Sequence, residues 1–326
     1  MAARQGKHMR QLLNLTGAVA ALSLFGAHAV AHQTSEGAKD EAPKSAVSVR
    51  DLSLRSEQIT SGLHVLIGKR AIGNVLVSIG KDGTYLVDDQ FEESFPEIMR
   101  AIQDLGGSAP RFIINTHYHH DHAGGNQPFG EAGAIIAAHD NARKLLALGT
   151  EIELLNLTVP PAPESALPMI TFAHEMSFHL NGERVHLIHL PDAHTESDIA
   201  VHFVESNVIH VGDVWNYTGN YPFIDSKYGG SLAGMIAAQK TVAEMADDST
   251  VIVPGHGPLA SKAELLAYTH NLSLILEILK GHASKGDSLE QVIAARPVDS
   301  VTTFKTGIIN QALWLSVVYP KIIDSM

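Results

Sequence analysis

The 326 residues specify an α/β chain in which two β-sheets lie packed together with helices outside. Short apolar runs broken by Gly or Asp turns lead into a helical stretch, and that order, strands then helix, occurs twice. Hydrophobic residues make up 45% and charged residues 18%, enough for a sizeable core and unlike a disordered chain.

In the first set, Leu63–Ile67, Asn74–Ile79 and Thr84–Val87 read as strands, the last two joined by the hairpin signal Lys81-Asp82-Gly83. Phe95, Ile98, Met99, Ile102 and Leu105 have helical spacing and stop at Gly106-Gly107. Arg111–Asn115 and Ala134–Ala138 are strands, followed by a helix near Asn141–Leu148. Residues 149–170 lack periodicity and carry Pro160, Pro161, Pro163 and Pro168, which predicts an irregular surface loop. In the second set the strands are Met176–Leu180, Val185–Leu190, Ile199–Val204 and Val208–Val211, with Asn181-Gly182 as a turn. Then come a helix at Ser231–Ala246, a strand at Val251–Val253 and a long helix at Ser261–His282. Ser288–Ala295 and Gly307–Val318 close the chain in helical register. No short repeat or low-complexity stretch interrupts this, so residues 51–326 form one expected domain.

The N-terminus has the form of an address. Arg4, Lys7 and Arg10 precede an uncharged apolar run from about Leu12 to Val30, which ends in Ala27-His28-Ala29 and Ala29-Val30-Ala31. A basic start, a short apolar run and an A-x-A site describe a secretory signal peptide over residues 1–31. Asn14, Thr16, Gly17 and Ser23 dilute the run below what a membrane anchor needs. Residues 32–50 are polar and read as a flexible leader. Cleavage would remove three basic residues and no acidic one, taking the net charge from −12 to −15. The expected product is exported, periplasmic or secreted, with no membrane contact once the signal is cleaved. The acidic balance also argues against nucleic acid as a partner and leaves a small-molecule substrate.

There is no cysteine, which removes disulfides, thiolate nucleophiles and every zinc site built on sulfur. Histidine is over-supplied, with 19 copies. Directly after the strand Arg111–Asn115 stands Thr116-His117-Tyr118-His119-His120-Asp121-His122-Ala123-Gly124-Gly125-Asn126. Five ligand-type side chains within six residues are not core filler. Imidazoles at i and i+2 converge on one ion in an extended or turning segment, and Asp121 and His122 sit beside it for a second. The glycine pair lets the backbone turn tightly. Nitrogen and oxygen ligands without sulfur suit zinc, with manganese or iron as alternatives. His120 reads as structural or solvent-facing, as do the histidines that lack a spacing partner.

His117-x-His119-x-Asp121-His122 resembles the HxHxDH motif of the metallo-β-lactamase-fold superfamily of binuclear metallohydrolases, and the resemblance extends over most of the chain. Three further marks follow in that family's order: Pro191-Asp192-Ala193-His194-Thr195, Val211-Gly212-Asp213, and Pro254-Gly255-His256-Gly257, the last in a form similar to glyoxalase II. The resemblance implies a four-layer αββα sandwich of two mixed β-sheets flanked by helices, α/β (α+β) in class. It implies two zinc ions per chain: His117, His119 and His194 on the first, Asp121, His122 and His256 on the second, and Asp213 bridging. Asp88 matches an early buried aspartate that would orient a ligand imidazole, with Asp89 as the alternative for that role. His119 stands where a di-iron flavoprotein branch has glutamate, and Asp213 where the B1 β-lactamases have cysteine. The ligand set is therefore closer to glyoxalase II, phosphodiesterases and lactonases.

A water between two cations loses its proton near neutral pH and becomes the nucleophile. Asp121 would orient it and carry a proton to the leaving group, the one catalytic role assigned to a side chain. Specificity is expected from residues 149–170 and from Trp215–Gly230. In the latter, Trp215, Tyr217, Tyr221, Phe223 and Tyr228 either wall a hydrophobic substrate or pin the loop to the body. Asn126 is a candidate donor to a substrate oxygen. The leading expectation is an exported zinc-dependent hydrolase of a small cyclic amide or ester, β-lactams included. The alternatives are a glyoxalase II-like thioesterase or lactonase, then an iron-dependent sulfur dioxygenase, and last a non-catalytic metal-binding protein.

Overall fold

A computed structural model describes residues 52–68, 72–305, 307 and 309–326. The expected signal peptide and leader lie outside the described residues. Among those described, no helix is long and apolar enough to cross a membrane.

The chain opens with an antiparallel run, β1 (Leu54–Gln58), β2 (Leu63–Gly68), β3 (Val75–Gly80) and β4 (Gly83–Val87). After α1 (Phe95–Asp104) come β5 (Pro110–Ile114), two short helices α2 (His120–Ala123) and α3 (Asn126–Glu131), β6 (Ile135–His139) and α4 (Asp140–Leu148). A small hairpin of β7 (Thr150–Ile152) and β8 (Leu157–Val159) follows, then β9 (Ile170–Phe172). The first sheet has the order β1-β2-β3-β4-β5-β6-β9, antiparallel to β4 and parallel beyond it.

The second sheet is built from β10 (Glu175–Leu180), β11 (Glu183–His189), β12 (Ile199–Phe203), β13 (Val208–His210), β14 (Val251–Val253) and β15 (Ala260–Ser261), in that order. Only its β13–β14 pair is parallel. The Asn181-Gly182 turn takes positive φ at both residues, 54° and 86°, which suits a tight hairpin between right-twisted strands. The helices α5 (Leu232–Met245), α6 (Lys262–Ser284), α7 (Leu289–Ala295) and α8 (Gln311–Asp324) complete the chain.

The two sheets meet face to face: Val65, Leu76, Val87 and Ile114 of the first pack against Leu187, Val201, Phe203 and Val253 of the second. The outer face of the first sheet is covered by Ile98 and Ile102 of α1 and Phe129 of α3. That of the second is covered by Ala238 and Val242 of α5 and Leu265 of α6. Helices, two sheets and helices form the four layers. A further cluster, centred on Leu272, Leu279, Trp314 and Tyr319, joins α5 to α8.

Three expectations need correction. Residues 149–170 are not wholly irregular, because their prolines all lie outside the three-residue strands of a hairpin too short to show alternation. The last helix is Gln311–Asp324 rather than Gly307–Val318: the Asn310 side chain accepts from Leu313 N–H and sets the start, and the helix continues through Pro320. Finally, Gly124 and Gly125 have ordinary helical φ of −70° and −77°. Glycine is needed at 125 for proximity, since a Cβ there would press on the Asp89 backbone.

Candidate metal centre

Strand ends deliver the site. Asp88 follows β4, His117 to His122 follow β5, and His194 lies in the turn between β11 and β12. Asp213 sits in a 3-10 turn after β13 and His256 just past β14. The termination of strands along one edge of the sandwich brings together ligand residues up to 139 positions apart in sequence, from His117 to His256, and Asp88 from further back still.

The structure gathers all seven predicted ligand residues. One ligand atom from each of His117, His119 and His194 lies within 4.8 Å of the others, and the same holds for Asp121, His122 and His256. Asp213 groups in the same way with His117 and His122, between the two trios. Its Oδ1 is 3.1 Å from His122 Nε2 and 3.4 Å from His256 Nε2, while its Oδ2 is 3.8 Å from His194 Nε2. Six of the seven are buried, and Asp121, with 27% of its side chain accessible, marks the mouth.

Four of the five imidazoles are held from behind, and the Nδ1 of His256 is buried without a partner. His122 Nδ1 donates to Asp88 Oδ2 (2.8 Å), which also accepts from the Thr116 hydroxyl (2.8 Å). That hydroxyl accepts in turn from His117 Nδ1 (3.0 Å). His194 Nδ1 donates to Phe223 O (2.8 Å), and His119 Nε2 donates to Asp225 Oδ2 (3.0 Å), where the Tyr118 hydroxyl also donates. With those four rear nitrogens carrying protons, it is the inward nitrogen of each of these imidazoles that is left to face a cation. Asp89 is not the orienting residue: its Oδ1 accepts from Gly125 N–H (2.9 Å). Asp88 adopts φ 63°, a left-handed conformation that aspartate tolerates better than most residues.

The inward faces fit cations. His119 Nδ1 and His194 Nε2 stand 2.8 Å apart, and His122 Nε2 and His256 Nε2 3.2 Å apart, so close that each pair must share a proton or another cation. Buried His117 Nε2 and Asp213 Oδ1 have no hydrogen-bond partner. Burial, reinforced by the other imidazoles, lowers His117 well below the ordinary imidazole value, and burial with the neighbouring His119 brings His194 down to about 4. In the other trio burial acts the same way, but Asp213 and Asp121 outweigh it, holding His122 well above its ordinary value and pushing His256 up to about 9. His117 and His194 are thus favoured as neutral nitrogen donors, and the other trio is a carboxylate-rich set that gathers positive charge.

The predicted substrate contacts fare differently. Asn126 is fully buried, its amide donating to Asn115 Oδ1 and Ala166 O, so it has nothing to offer a substrate. Trp215 is buried beneath α5, and Tyr221 packs on Phe304 and Trp314. Tyr217 turns to α6, where its hydroxyl donates to Glu264. These three pin the loop to the body. Phe223 alone of the set is at the site, its ring 5.5 Å from that of His119 and 5.4 Å from that of His194. His120 is exposed against Phe91, as expected.

Sequence reasoning missed Thr116, Tyr118 and Asp225, which orient ligands, and Asp198. The last accepts from the backbone N–H of His194 and Thr195 (both 2.7 Å) and closes the turn that presents His194. Asp198 had a local signal, a carboxylate four residues past the histidine at a turn. Asp225 had none, since it reaches His119 only through the fold.

The description "Metallo-beta-lactamase superfamily" belongs to the family model that matches residues 69–256. A curated relative, acyl-coenzyme A thioesterase MBLAC2 of Gallus gallus, is 25% identical over 185 residues, or 50% of this chain. The match spans 64% of that relative's length. Among solved structures, a metallo-β-lactamase from Pontibacter korlensis superposes with a TM-score of 0.57 at 18% identity, covering 68% of this chain and 99% of that one. The metallo-β-lactamase FIM-1 from Pseudomonas aeruginosa, in its mono-zinc form, gives 0.54 at 22% identity, with 68% and 95% covered. These two show the fold. With four layers, seven converging ligand residues and a family match over more than half its length, the chain belongs to the metallo-β-lactamase superfamily.

Proposed function

We propose that this chain is an exported hydrolase that holds two zinc ions and cleaves a small amide or ester, cyclic substrates such as β-lactams included. His117, His119 and His194 would hold one ion, Asp121, His122 and His256 the other, and Asp213 would bridge them. The observation that carries this reading is the pair of facing nitrogen sets with the Asp213 carboxylate between them. Nitrogen and oxygen donors without sulfur suit zinc, and also manganese or iron. Export is read from the N-terminal address.

When bound, the metal pair supplies Lewis acidity that activates a water, polarises the electrophile and steadies the leaving group's charge. The chain's own residues do the rest. Asp88, Thr116 and Asp225 hold the outer nitrogens of His122, His117 and His119, which leaves the inward ones for a cation. Burial of six ligand residues keeps bulk water from screening their charges. Asp121, at the mouth with its carboxylate 3.1 Å from His256 Nε2, is placed to take a proton and pass it to the leaving group.

A second reading is favoured by a specific finding. The curated relative bears the name of an acyl-coenzyme A thioesterase, and an oxygen-bearing bridge, Asp213, is what the glyoxalase II-like alternative requires. The test is metal analysis of the mature protein, then turnover of a chromogenic cephalosporin, a lactone, S-lactoylglutathione and acyl-coenzyme A thioesters. Two zinc per chain with hydrolysis of at least one is expected. A single iron and no hydrolysis across the panel would overturn the reading in favour of oxidative chemistry.

A further inference from the structure

We propose that a cavity beside the metal centre is an acyl-chain subsite, which takes the uncharged aliphatic chain of a substrate whose carbonyl lies at the metals. This rests on the hydrolase reading above and adds the substrate class to it. The cavity has a volume of about 340 Å³, at the small end of the roughly 300–1,000 Å³ typical of ligand sites. Its walls are residues 223–227, the turn of the β7–β8 hairpin, and α8.

The inner wall belongs to both places at once. Phe223 lines the cavity while its ring meets those of His119 and His194, and its carbonyl oxygen accepts from His194. A chain lying along Phe223 therefore starts within one ring of two ligand imidazoles. The far wall, from α8, sets Leu313, Val317 and Pro320 beside Ser316, Lys321 and Asp324. Leu313 and Val317 lie one turn apart on one face of α8 and are only half-buried, whereas Trp314, Leu315 and Val318 turn into the helical core. Ile152 and Leu154 complete the lining from the hairpin.

The charges that line this space are taken up or of opposite sign. The Asp225 carboxylate is taken up by His119, Tyr118 and the backbone N–H of Tyr228. Lys227 pairs with Glu151 at 2.8 Å, and exposed Lys321 and Asp324 offer opposite signs from α8. A wall of mixed sign around branched aliphatic residues suits a neutral chain rather than an anion. Moreover, α8 lies beyond residues 69–256, where the family match ends, so this wall is an addition to the shared core and a place for substrate choice.

The test uses the zinc-loaded mature chain with p-nitrophenyl esters and coenzyme A thioesters from acetyl to octanoyl. The expected kcat/KM rises about fourfold per methylene, the gain from burying each CH₂. Val317→Trp and Leu313→Trp should flatten that rise while leaving the acetyl substrates within about twofold. Should either tryptophan prevent folding, Val317→Ser should cut the octanoyl preference instead. A second readout is calorimetric binding of octanoate against acetate. Both bring the same carboxylate, so octanoate should bind at least tenfold tighter, and Val317→Trp should abolish the difference. Length-independent turnover, equal loss at every length in the variants, or octanoate binding no tighter than acetate would overturn the subsite. Chain-dependent binding without hydrolysis of any ester would instead remove the hydrolase reading and leave the subsite standing.

Discussion

Replacing Asp88 with Asn reaches both metal positions through a single oxygen. Asp88 is fully buried: Oδ1 accepts from Thr116 N–H (2.7 Å), and Oδ2 from the Thr116 hydroxyl and His122 Nδ1. Asparagine keeps the shape and can keep the first bond, but puts an NH₂ donor where Oδ2 accepted. His122 then escapes a donor–donor clash only by moving its proton to Nε2. The Thr116 hydroxyl, now receiving from the amide, must donate to His117 Nδ1, which moves that proton to Nε2 as well. Both are the nitrogens a cation needs. A lost hydrogen bond to a charged group costs about 1.5–3 kcal/mol, and losing such a supporting partner typically weakens metal binding about 10–100-fold. Each trio loses one histidine, so both zinc equivalents should weaken by that factor in competition with a chromophoric chelator. Thr116→Val, which removes the His117 support and one donor to Asp88 but leaves the Asp88–His122 bond, should weaken one equivalent and spare the other. Two equivalents bound at wild-type affinity by a folded Asp88→Asn protein would refute the tautomer argument.

Three further outcomes are expected. His119→Ala should abolish turnover while the circular dichroism spectrum stays native, and near-normal turnover would remove His119 from the site. Gly255→Ala should lose zinc and at least tenfold in activity, because the added methyl overlaps the Asp213 carboxylate and the Gly212 backbone; overpacking typically adds about 1–3 kcal/mol of destabilisation, and unchanged zinc content would refute the fit. His139 and His189 stack with ring centroids 3.7 Å apart, and burial holds both below the ordinary imidazole value, with the neighbouring His139 adding to it for His189. The unfolded chain therefore binds protons first as pH falls. The stability these groups contribute is present above about pH 6.5 and is lost as pH falls through their lowered values. His189→Gln should shrink the drop in Tm between pH 7.5 and 5.5, and an equal drop in both proteins would count against the pair.

Much of this protein is written locally in its chain. The ligand types, their spacing after Asn115 and the glycine-bounded strands are short-range features, and so are the caps that start the long helices. Ser261 and Glu264 form a reciprocal capping box at α6, as Ser288 and Gln291 do at α7. Strand existence was legible because alternation and turn chemistry act within a few residues. The sheet edges were less so: β9 and β15, with three and two residues, are too short to show alternation, and β1 is polar and largely exposed.

The sequence by itself determined the chemistry available: seven imidazole and carboxylate groups, no sulfur, and backbone turns that end strands beside them. Tertiary structure decided which groups support that chemistry. Asp225 reaches His119 across 106 residues, Trp215 and Tyr221 sink into the core while Phe223 stays at the metals, and Asn126 is spent on Ala166. A ligand's identity is fixed by its own side chain, but orientation and exposure are set by neighbours that only the packed sheets bring within a few ångströms.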